Sequence, residues 1–86
     1  MNTQMPELDR AWQLLSQERF GEAVQQSAAV LARFPGNVSA LACHAMANWK
    51  YEGDIRVSID EMQRAVAAAP MVASIRHNLA TLYASA

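Results

Sequence analysis

The sequence predicts an all-α protein made of antiparallel helical hairpins, and three observations carry that expectation. Apolar residues make up 52% of the chain, with alanine the commonest and only three glycines and three prolines. Alanine is the best helix former, and its small side chain lets helices approach closely. The apolar residues recur at spacings of three and four, the period of a helix buried along one stripe. The breaks between these periodic segments are very short, which leaves consecutive helices no option but to pack as antiparallel neighbours.

Each element follows from its own residues. Pro6 opens a first helix whose face carries Leu8, Ala11, Trp12 and Leu15. The apolar rhythm then pauses at Gln17-Glu18-Arg19, a soft break. A second helix presents Phe20, Val24, Ser27 or Ala28, Leu31 and Phe34. Phe34-Pro35-Gly36-Asn37 reads as a stop, a turn and a restart. The third helix, about 38–51, carries Leu41, Ala42, Ala45 and Trp49. In Glu52-Gly53-Asp54, Gly53 suits the left-handed residue after a helix and Asp54 suits the cap of the next. A fourth helix from Ile55 shows Ile59, Met62, Val66 and Ala69, and Pro70 ends it. The fifth carries Val72, Ile75, Leu79, Leu82 and Tyr83. The expected organisation is a single domain over 1–86, with helix pairs at about 6–34 and 37–69 and a final helix at about 71–85.

Composition excludes several functions. The net charge is −1, and the seven basic residues are scattered. Without a cluster able to neutralise several phosphates together, no nucleic-acid partner is expected. No apolar stretch reaches the roughly 18 residues that span a bilayer, and the polar start Met1-Asn2-Thr3-Gln4 is no signal peptide, so no membrane association is expected. The lone Cys43 can form no internal disulfide, which makes a reducing, cytoplasmic setting the default.

Self-similarity sharpens the architecture. Pro35 and Pro70 lie 35 residues apart, and superimposing them pairs Phe20 with Ile55, Val24 with Ile59, Leu31 with Val66 and Leu14 with Trp49. One further period pairs Trp49 with Tyr83 and sets Ala80 opposite Ala45-Met46. Each unit runs helix, short loop, helix, proline, which is the mark of a repeat protein.

Such a unit, with a small residue in its first helix, an aromatic opening its second and a closing proline, resembles the tetratricopeptide repeat. Phe20-Gly21-Glu22-Ala23-Val24 is similar to the start of that family's second helix, and Val30-Leu31 with Pro35 and Asn37 to its end. Gly53-Asp54-Ile55, Ala65-Val66 and Pro70 fall at the corresponding places, and Leu79-Ala80 with Tyr83 matches the first-helix spacing. The likeness covers nearly the whole chain from Glu7. It departs at Glu7 and Arg10, which stand where core residues are expected, and at Ser58, which replaces the alanine found at Ala23. In the third helix, counting from Pro35 puts Ala45 at the close helix contact, while counting back from Gly53 puts Met46 there. A methionine would overpack that contact by about 1–3 kcal/mol, which favours Ala45. Trp49 is expected to be mostly buried in either register.

The resemblance implies a short right-handed solenoid of five helices, without catalysis or cofactor, that binds a protein or peptide. In this family the first helices of the pairs line a concave groove, here contributed by Trp12, Cys43, His44, Ala47, Lys50, His77, Asn78 and Thr81. The same residues also read as an ordinary solvated helix exterior. A clamp for a terminal carboxylate needs lysines, arginine and asparagines, and only Lys50 and Asn78 stand in place. An alternative is that the chain forms the repeat segment in front of a sulfotransferase or glycosyltransferase.

No catalytic order of Ser, His and Asp and no glycine-rich phosphate loop appears. Cys43 and His44 are adjacent on one helix and point about 100° apart, so they cannot act as nucleophile and base. Asp60-Glu61 reads as a solvated acidic step. Cys43, His44 and His77 could approach one another, but zinc wants four ligands, or three and water, so no metal site is expected.

The last helix has no hairpin partner. Leu79 and Tyr83 are expected to pack back on the fourth helix, leaving Ile75 and Leu82 turned toward the place of a missing helix. Ile75, Leu82 and Tyr83 are then the face for self-association or for the next repeat. A homodimer, or continuation into further repeats, is the expected cover, because an isolated repeat cannot bury its apolar face.

Overall fold

The computed structural model of the protein describes residues 6–86; the polar start at 1–4 lies outside them. Five α-helices follow one another: α1 (Pro6–Ser16), α2 (Phe20–Arg33), α3 (Val38–Glu52), α4 (Ile55–Ala68) and α5 (Ala73–Ser85). No strand occurs among the described residues. Each helix packs on the next, and α3 also adjoins α1 and α5. Among the described residues no helix is long and apolar enough to cross a membrane.

The connections are set by local chemistry. Asn37 caps α3, its side chain accepting the Ala40 N–H at 2.9 Å. Gly53 ends α3 in the left-handed region at φ 81°, where its N–H reaches the Asn48 carbonyl, and the Asp54 side chain accepts the Arg56 N–H to open α4. These are the stop and start that the side chains call for. The break after α1 is made differently. Glu18 occupies the left-handed position at φ 61°, its N–H bonding Leu15 O while the Arg19 N–H bonds Leu14 O. That paired bond pattern terminates helices, and placing a non-glycine residue there costs about 1–2 kcal/mol.

Small residues make the close contacts. Ala11, Ala23, Ala40, Ala45, Ala47 and Ala65 are fully buried. Ala45 sits at the tight contact while Met46 is only partly buried, as the overpacking argument requires. Trp49 is mostly buried, as expected, against the α3–α4–α5 core, with the Lys50 ammonium 4.3 Å from its ring centre. Gly21 gives the Tyr51 ring room: a Cβ there would come within 2.9 Å of it.

One core cluster joins Leu8, Ala11, Val30, Ala40 and Cys43 across α1, α2 and α3. The larger joins Leu41, Ala42 and Ala45 of α3 to Met62 and Ala65 of α4 and to Ile75 and Leu82 of α5. This corrects the reading of the last helix. Ile75 and Leu82 are 6% and 0% exposed and belong to the core. Residues 79 and 82 lie four and seven positions after 75, so at 100° per residue the three form a single stripe within about 60°. The expectation that 75 and 82 face away from 79 breaks that geometry. Tyr83, one residue on, is 51% exposed, and its hydroxyl accepts from Gln63 Nε2 on α4.

Two buried serines, one in α2 and one in α4, differ in satisfaction. The Ser27 hydroxyl donates to the Ala23 carbonyl at 2.7 Å. Ser58, equally buried, has a hydroxyl with no hydrogen-bond partner among the described residues. Removing an unsatisfied buried hydroxyl recovers its desolvation cost. Ser58→Ala should therefore stabilise the protein by about 1 kcal/mol, also gaining helix propensity. Ser27→Ala should show no such gain when both are measured by urea denaturation.

Candidate functional site

Because α1, α3 and α5 lie side by side, the residues on their common face converge. They enclose a hollow of about 280 Å³. Trp12 enters from α1, Val38, Ser39 and Ala42 from the first turns of α3, and Ser74, Ile75 and Asn78 from α5. Ala69 and Val72 close it from the α4–α5 connection. The Trp12 Nε1–H donates to Ser39 Oγ at 3.0 Å, which fixes the indole across the α1–α3 boundary. On α5, the Thr81 and Ser85 hydroxyls donate back to carbonyls of their own helix. Ser74 and Asn78, one turn apart, keep side chains without a hydrogen-bond partner among the described residues. The hollow is thus apolar, uncharged, and edged by free hydroxyl and carboxamide groups.

Of the residues assigned to a groove from the sequence, Trp12 and Asn78 meet here. Cys43 and Ala47 do not, since both are fully buried between helices. Thr81 is half-buried and bonded to His77 O. His77 and Lys50 are exposed and outside the hollow. His44 turns to α4, where its Nδ1 lies 2.7 and 2.8 Å from the two Glu61 carboxylate oxygens. Glu61 is 8% exposed, so the pair Asp60-Glu61 is not a solvated step: Asp60 is outside and Glu61 is inside. Ser39, Ala42 and Ser74 escaped the sequence reading. Alpha3 has neighbours on nearly every side, and a helix buried all round has no polar stripe to mark which face lines a groove. Among the described residues no group of three or more His, Cys, Asp or Glu side chains is placed to hold a metal ion.

Burial pushes the Cys43 thiol up from 9.0 to about 12. The thiolate is the reactive form, so this cysteine is inert while the protein is folded. Its effect appears in alkaline stability. In the unfolded chain the thiol loses its proton above pH 9, whereas the folded chain keeps it. The stabilisation is therefore whole below pH 9 and is lost as pH rises toward 12, at roughly 1 kcal/mol per pH unit. Urea midpoints measured between pH 8 and 10.5 should fall more steeply for the wild type than for Cys43→Ala. Parallel pH profiles would place the thiol in contact with water.

Comparison with protein-family models, with curated proteins and with solved structures returned no match.

Proposed function

We propose that the chain is a non-catalytic protein-interaction module of the tetratricopeptide type, which takes a partner segment across the hollow on the common face of α1, α3 and α5. The observation that carries this reading is convergence. Three helices separated in sequence deliver Trp12, Ala42, Ile75 and Asn78 to one concavity that the protein's own side chains leave unfilled. A concave apolar surface with a few unpaired polar groups is the usual form of a binding site. Two helix pairs with prolines at matched positions support the assignment of repeat type, since stacked pairs bring first helices side by side.

Peptide display tests the reading. Peptides selected on the purified chain should lose binding to Ser74→Trp, whose indole would fill the mouth of the hollow, with far-UV circular dichroism unchanged. Selected peptides that bind the variant as tightly as the wild type would place the partner elsewhere.

A further inference from the structure

We propose that the hollow selects its partner by one large, uncharged apolar side chain, aromatic or leucine-sized, set in an extended segment whose backbone amide is held by the Asn78 carboxamide. The inference rests on reading this face as the partner site and adds what the partner must present.

Charge decides the first part. None of the residues lining the hollow is ionisable. A carboxylate or ammonium entering it would lose hydration and meet no counter-charge, which is strongly unfavourable. Recognition through a charged chain terminus is therefore disfavoured here. Size decides the second part. At about 280 Å³ the hollow sits at the lower edge of the roughly 300–1,000 Å³ spanned by small-ligand pockets, enough for one large side chain and too little for a cofactor. The Trp12 indole, Ala42 and Ile75 give such a side chain apolar walls, with the indole held by Ser39.

The polar groups decide the third part. The indole N–H is already used, so the free groups are the Ser74 hydroxyl and the Asn78 carboxamide. A carboxamide offers a donor and an acceptor in one plane, as a peptide unit does. Ser74 and Val72 are exposed at the rim, so a chain can lie across the opening while one side chain enters.

The test is a titration of the isotope-labelled chain followed by NMR at the Trp12 indole and Asn78 carboxamide resonances. The probes are acetyl-Gly-Gly-X-Gly-Gly-amide peptides with Phe, Leu, Glu or Lys at X. The Phe and Leu peptides should move both resonances and bind about tenfold more tightly than the Glu and Lys peptides. Asn78→Ala should weaken the Phe peptide by roughly three- to tenfold, and Ser74→Phe should abolish its binding, both with unchanged circular dichroism. Equal binding of all four peptides at these resonances would overturn the apolar anchor while leaving the docking face in place. Binding of the Phe peptide that is indifferent to Asn78→Ala would overturn the amide contact. Silence from every peptide would overturn the anchor and the docking reading together.

Discussion

Leu82→Glu should unfold the protein. Leu82 is fully buried between Ile75 on its own helix and the α3 and α4 residues of the larger core. Removing a buried leucine to alanine costs about 2–5 kcal/mol. Glutamate adds either a buried charge without a partner or a carboxyl that must hold its proton inside. A chain of 86 residues has a total stability on the order of 4–13 kcal/mol, so the substitution consumes most or all of it. The expected result is loss of the cooperative thermal transition followed by circular dichroism at 222 nm. A variant that melts cooperatively within a few degrees of the wild type would show that α5 is dispensable to the core. Tyr83→Glu, one residue along and half-exposed, is the control and should be nearly silent.

The second large effect lies at the His44–Glu61 link. The Nδ1–H of His44 donates to a carboxylate that is almost wholly enclosed, with side-chain exposures of 18% and 10% for the two residues. Deleting one partner leaves the other buried and unmatched, which typically costs about 3–5 kcal/mol. Replacing both by leucine restores an apolar contact and is often close to neutral. His44→Leu and Glu61→Leu should therefore each destabilise strongly, and the double variant should recover most of the loss. The coupling from a double-mutant cycle should be on the order of 2 kcal/mol or more. Additive losses would mean that the two side chains act independently.

How much of this was readable follows from how locally each feature is encoded. The turns at Asn37 and at Gly53-Asp54 are written in side chains whose chemistry caps helices, and they form where the sequence places them. The turn at Glu18 has no such residue, because a paired backbone bond and a strained φ do the work instead. The start of α5 is similar, since Val72 caps it without a side-chain bond. All five helices were legible, but their faces were less so. On α5 the stripe 75–79–82 was present in the spacing and misassigned. On α3 burial on several sides removed the contrast that periodicity relies on. The His44–Glu61 link joins residues 17 apart on different helices, and nothing in either local stretch announces it. The hollow is likewise a product of three helices meeting, legible only at Trp12 and Asn78.

The central position of α3, which touches all four other helices, also orders the ways in which the molecule can come apart. Detaching α5 breaks its packing on α4 and α3 only, whereas melting α3, which contributes residues to every core cluster, dissolves them all at once. Amide protons along α3 therefore exchange with solvent only through global unfolding, while those of α1 and α5 exchange through partial openings at lower free energy. Because α5 carries Ser74, Ile75 and Asn78, a segment bound in the hollow would slow exchange most at the end of the molecule that opens first.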